Sequence, residues 1–127
     1  MNLFETFNNG QIVLPSSKKN AGEIVWSKHP TFEGVELKHL ITAKDTNGEF
    51  SYHLVRIAPN CSIGMHIHEI QLETHEVIKG NGLCTCGGKE IVYQPGVIAI
   101  MPASIQHEVN TGEEGLYLFA KFIPALC

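Results

Sequence analysis

The sequence holds a single arginine, Arg56, and a single tryptophan, Trp26, and its only adjacent basic residues are Lys18 and Lys19. With 9 Lys and Arg against 13 Asp and Glu, a formal charge of -4, it lacks the clustered cations that a phosphate backbone requires. Nucleic acid is therefore not an expected partner. No uncharged apolar stretch approaches membrane-spanning length, and Met1 to Glu5 lack the basic start and apolar run of a secretory leader. These absences set the expectation of no membrane association and a cytoplasmic address. A disulfide framework is also missing: of the 4 cysteines, Cys84 and Cys86 are too close along one strand to bridge without strain, and nothing pairs Cys61 with Cys127. All four are expected to be reduced, with Cys84 and Cys86 serving as small packing residues and not as metal ligands.

A convincing helical period is absent as well. What the chain has is 127 residues, 43% hydrophobic and 17% charged, enough for one domain with a real core. From about residue 35 the pattern is one of short apolar or alternating runs broken by Gly, Pro and Asn. Runs at 35–42, 50–57, 73–79, 83–86, 90–93, 97–101, 107–110 and 116–123 are separated by turn-forming segments. Gly87-Gly88 marks a hairpin, and Gly80-Asn81-Gly82 and Thr111 to Gly115 mark breaks. Many short strands at regular spacing indicate an all-β sandwich or closed barrel. The first 30 residues are less regular, with strands expected at 11–14 and 23–26 and a loop at 15–20.

The most informative segment is Gly64-Met65-His66-Ile67-His68-Glu69-Ile70-Gln71-Leu72-Glu73. In a strand, His66 and His68 project to one face while Met65 and Ile67 point away. Two imidazoles leaning together can each offer a nitrogen to one metal ion at about 2.1 Å, and a carboxylate a few residues later supplies a third ligand. Two histidines and a carboxylate leave positions open for water or substrate.

Extended over its neighbours, this segment resembles the first motif of the cupin family: His66-x-His68, four residues, Glu73, six residues, Gly80. The second cupin motif is matched by Gly96, five residues, Pro102-Ala103-Ser104, two residues, His107. Here Ser104 stands where the family has Gly, and Asn110 falls one place early. The resemblance covers about residues 35–123. It implies a double-stranded β-helix, or jelly-roll barrel, at 35–127, and an N-terminal extension, 1–34, whose strands serve dimerisation. It also implies one divalent metal per chain on His66, His68, Glu73 and His107. Three imidazoles and a carboxylate suit manganese, iron, nickel, cobalt, copper or zinc, whereas magnesium and calcium prefer oxygen shells.

His75 shares strand parity with Glu73, so it is expected on the same wall, either orienting Glu73 or acting as a general acid/base; it also competes with Glu73 as a ligand. Arg56 is a natural anchor for a substrate carboxylate or phosphate, or else pairs with an acid on the outer face. Tyr52 and His53 lie on opposite faces of one strand, so one of them reaches the cavity, and Tyr52 joins Arg56 and Met101 as a substrate-binding candidate. Met101, Ile105 and Val77 are expected to form an apolar wall. Glu69, Glu76 and Glu108 read as solvated. His29 and His39 read as surface or dimer residues, and Trp26 as packing at a core edge or a partner.

Cupins span dioxygenases, isomerases, lyases and decarboxylases, so the resemblance implies chemistry on a small oxygen-rich organic molecule that chelates the metal. The competing expectation is a cupin that senses or carries a small ligand without turnover. A purely structural role would leave the spacing of the four ligands without a cause.

Overall fold

The computed structural model describes all residues 1–127. Its elements are α1 (Leu3–Asn8), β1 (Gln11–Val13), β2 (Lys18–Asn20), β3 (Ser27–Lys28), β4 (Val35–Ile41), α2 (Ala43–Thr46), β5 (Ser51–Ile57), β6 (Ser62–His66), β7 (Leu72–Cys86), β8 (Lys89–Tyr93), β9 (Ile98–Met101) and β10 (His107–Ile123). A short 3-10 turn occupies Ala21–Glu23. One sheet runs in the order β3-β4-β5-β10-β7-β8, with β6 added to β10 and β9 to β7, all pairings antiparallel. This is the all-β architecture that the pattern of short runs anticipates, in the jelly-roll form that the cupin resemblance implies.

Two expected breaks are not breaks. Gly80-Asn81-Gly82 and Thr111 to Gly115 lie inside the continuous strands β7 and β10, which pair from one end to the other with register shifts between Thr111 and Leu116 and between Tyr117 and Leu118. The glycines serve close approach instead of chain reversal. Gly80 sits at φ +86 and packs so tightly that an added Cβ would lie 2.1 Å from the carbonyl oxygen of Gly115. The N-terminal expectations also shift. Residues 18–20, expected as loop, pair as β2 with β1, while the run at 23–26 forms no strand and β3 starts directly after it at Ser27.

The chain has two apolar layers. The barrel interior is filled by Val55, Ile57, Val77, Tyr93, Met101, Leu116 and Leu118 among others, and Cys84 is fully buried there. All four cysteines are unpaired. A second cluster lies outside the barrel, where Phe4 and Ala21 of the N-terminal segment pack on Leu40, Leu54 and Phe119. Lys38, buried under this segment, donates from Nζ to the carbonyls of Asn8 at 3.1 Å and Ala21 at 2.7 Å, which satisfies the ammonium that burial would otherwise penalise. Side chains between Phe4 and Trp26 thus cover the outer face of their own barrel, while β3 joins its main sheet.

Replacing Gly80 by Ala should destabilise the fold by about 3 kcal/mol or more, because a left-handed backbone and a backbone clash add together. Gly88→Ala, also at positive φ but with nothing within 4 Å, should cost only about 1–2 kcal/mol. Urea unfolding midpoints of the two variants check this difference.

Candidate metal centre

Four side chains on three strands and one loop converge at the barrel mouth. His66 ends β6 and sits directly across from His107, the first residue of β10; Glu73 is the second residue of β7. His68 lies just beyond β6, so the pairing of His66 and His68 on one side comes from a strand end and the extended residues after it, not from a continuous strand. Met65 and Ile67 point outward and are half exposed, as alternation requires.

The loop that carries His68 is held by the second motif. Ser104 adopts φ +68, the left-handed conformation that the family's glycine takes without strain. Its N–H donates to the His68 carbonyl at 2.8 Å, and its hydroxyl donates to the Glu69 carbonyl at 3.1 Å. Serine therefore keeps the turn and adds a tether between the two motifs.

The ligand atoms of His66, His68, Glu73 and His107 all lie within 4.8 Å of one another. Glu73 Oε1 is 3.1 Å from His107 Nε2 and 3.4 Å from His68 Nε2. The His66 and His107 rings approach to 4.2 Å between centroids. The far side of two rings is fixed by the backbone: His66 Nδ1–H donates to the Gly64 carbonyl at 2.8 Å, and His107 Nδ1–H donates to the Ile105 carbonyl at 3.2 Å. Those bonds place the proton on Nδ1 and aim the Nε2 lone pair inward, which is the outer-shell arrangement that metal-ligating histidines favour.

A cation fits this donor set. With Nδ1 protonated, the Nε2 of His107 and Oε1 of Glu73 face each other at 3.1 Å as two lone pairs, and only a proton or a metal between them makes that contact favourable. Ligands at about 2.1 Å from one ion stand about 3 Å apart at right angles, the spacing seen here. Burial pushes His66 and His68 below the usual histidine value, keeping their imidazoles neutral. Burial also opposes charge on His107, but the Glu73 carboxylate outweighs it and raises the net value. Burial alone would push Glu73 up; His75 and His107 more than reverse this and hold it well below the carboxylate range.

His75 is buried on the same wall, as parity predicts. Its Nε2 lies 2.6 Å from Glu73 Oε2 and its Nδ1 2.8 Å from the Tyr93 hydroxyl, which also contacts Met101 sulfur at 3.8 Å. With both ring nitrogens engaged, His75 holds Oε2 of Glu73 and leaves Oε1 facing His68 and His107. Tyr93, the outer end of this chain, is not a residue the strand pattern singles out, because its partner lies across β7 and β8 sequence that reads as plain hairpin.

Other candidates fall elsewhere. Arg56 Nε donates to Glu36 Oε1 at 3.0 Å and its guanidinium stacks 4.0 Å over the Trp26 ring, on the outer face. Tyr52 packs edge-on against Phe119 in the outer cluster. Met101 is fully buried in the core beneath Tyr93. None of the three lines the cavity of about 370 Å³ onto which His66, His68, Glu73 and His75 open. Their expected role in substrate binding is a correction: alternation along β5 turns His53, not Tyr52 or Arg56, to the interior. His29 and His39, expected at the surface, both line the cavity.

Comparisons with known proteins follow the same lines. The chain is 25% identical over 91 residues to an oxalate-binding protein of Thermotoga maritima, covering 70% of this chain and 75% of that one. Among solved structures, a predicted oxalate decarboxylase from Thermotoga maritima superposes with a TM-score of 0.75 at 24% identity, covering 89% of this chain and 99% of that chain. An ectoine synthase from P. lautus superposes with a TM-score of 0.74 at 20% identity, covering 85% and 78%. The cupin-domain family model matches residues 53–121, more than half of the chain and the stretch that carries all four converging ligands, and so the chain belongs to the cupin family.

Proposed function

We propose that this cupin holds one divalent transition metal, of the manganese, iron, nickel or zinc kind, on His66, His68, Glu73 and His107, and acts through it on a small oxygen-rich organic acid. The observation that carries the reading is the convergence of the ligand atoms of His66, His68, Glu73 and His107 within 4.8 Å of one another, where His66, His68 and Glu73 open onto a cavity. The similarity to the oxalate-binding protein of Thermotoga maritima supports the ligand class. When bound, the metal supplies Lewis acidity and a coordination position for a carboxylate or carbonyl oxygen, the basis of dioxygenase, isomerase and lyase chemistry in such sites.

The chain's own residues do the rest. Val35, Leu37, Val55, Ile63 and Leu118 line the cavity together with Lys28, His29 and His39, so a ligand's apolar body packs on the former while its carboxylate meets the mouth or Lys28. The only arginine is turned away, and the metal is the anchor at the mouth. His75 positions Glu73, and Tyr93 positions His75.

A second reading is ligand capture without turnover. It is favoured by the engagement of both His75 nitrogens, which leaves that residue no lone pair for a substrate proton. Incubating the metal-loaded protein with oxalate and with short hydroxy and keto acids, in air and without oxygen, separates the two. A consumed acid supports the enzyme; an acid that raises the melting temperature and is recovered unchanged supports capture.

Metal analysis of the purified protein should find about one equivalent at this centre, lost in the His66→Ala, His68→Ala double variant. If that variant keeps the same metal content, these four residues are not the site. His75→Ala and Tyr93→Phe should retain the metal but weaken its affinity, by about 10–100-fold for the former and less for the latter. Competition with a chelator measures both.

A further inference from the structure

A second convergence of ligand atoms lies on the wall of the same cavity. His39 on β4 and His53 on β5 are directly opposite in the antiparallel register, and Cys127 reaches them from the segment after β10. The Nδ1 atoms of the two histidines are 2.8 Å apart, and Cys127 Sγ is 3.6 Å from His39 Nδ1. All three donor atoms fall within 4.8 Å of one another.

This arrangement is built, not incidental. A register shift follows His39 in β4, a device that re-aims side chains at strand ends. His53 is fully buried with Nε2 2.7 Å from Ser51 Oγ, and the tautomer that donates there leaves Nδ1 as a lone pair. The same Ser51 Oγ accepts the N–H of Leu126 at 2.9 Å. The N–H of Ala43 donates to the Cys127 carbonyl at 2.6 Å, and that of Ala125 to the Gly48 carbonyl at 3.0 Å. Three backbone bonds therefore fasten the segment that carries the thiol, and one of them ends on the hydroxyl that orients His53.

We propose that His39, His53 and Cys127 form a second metal centre, taking a borderline-soft divalent d-block ion such as zinc(II), separate from the barrel-mouth site. Two imidazoles and a thiolate are the donor types such an ion selects, and the fourth position faces the cavity. Around a tetrahedral ion with bonds of about 2.1 Å to nitrogen and 2.3 Å to sulfur, a nitrogen and a sulfur stand about 3.6 Å apart, as they do here. The two Nδ1 atoms need to open by about half an ångström to reach the matching nitrogen–nitrogen edge. Binding releases one proton, from the Cys127 thiol; the proton shared between the two Nδ1 atoms moves to Nε2 of His39. The Phe122 ring packs on His53 at 5.6 Å and on His68 at 5.1 Å, so one aromatic side chain touches both centres.

Cobalt(II) titration of the purified protein tests this, because the barrel-mouth site has no sulfur ligand. A thiolate-to-cobalt charge-transfer band in the near ultraviolet should grow to saturation at one equivalent. It should persist in the His66→Ala, His68→Ala variant and vanish in both Cys127→Ser and His39→Gln, with the cobalt at the barrel mouth retained in each. Circular dichroism shows that each variant is folded, and the two are independent routes to the same loss. Absence of the band in the unaltered protein overturns the proposal. So does a band that survives Cys127→Ser, which would assign it to Cys61, Cys84 or Cys86. Loss of barrel-mouth metal alone leaves the band unchanged, so the two centres fail separately.

Discussion

The buried carboxylate of Glu73 is the constraint around which this barrel is arranged. Its residue is only 5% exposed, and an ionised carboxylate in such a place is costly unless charge or hydrogen bonds surround it. Here one oxygen is taken by His75 and the other faces His68 and His107. Each of those histidines is in turn held from behind, by Tyr93, by the Ser104 tether on its loop or by a backbone carbonyl. Removing the carboxylate would leave an array of imidazoles with nothing to converge on.

The long strands β7 and β10 make this convergence possible. β10 carries His107 at its start and pairs with β6, β5 and β7 in turn, while β7 carries Glu73 and His75 and pairs with β9 and β8. Residues remote along the chain are brought together because these two strands run the length of the barrel and cross closely at Gly80 and Gly115. A turn would have served chain reversal at those glycines; the fold uses them for contact between backbones.

That substitution of roles explains much of what the sequence did and did not disclose. Histidine spacing and strand parity located His66, His68, Glu73 and His75, because alternation is a local property and these residues lie within eleven positions of one another. Gly80 and Gly115 read as chain breaks because glycine signals a special backbone without saying which kind. The faces of β5 were not legible for another reason. Alternation separates Tyr52 and Arg56 from His53, but both faces of this strand are buried, one against the barrel core and one beneath the N-terminal segment. Hydrophobicity therefore could not say which set looked inward. His39 was missed with them, since its meaning depends on a partner strand and on a segment nearly ninety residues away.

This double-sided strand has a consequence for how the protein can change. Inner and outer surfaces of β5 are interleaved one residue at a time, so substitution can tune either without disturbing the other. Insertion or deletion cannot. A slip of one residue would turn Arg56 inward and expel His53 to the Trp26 face, exchanging an inward imidazole for a permanent cation in a single event. The length of β5 is thus under tighter restraint than its composition.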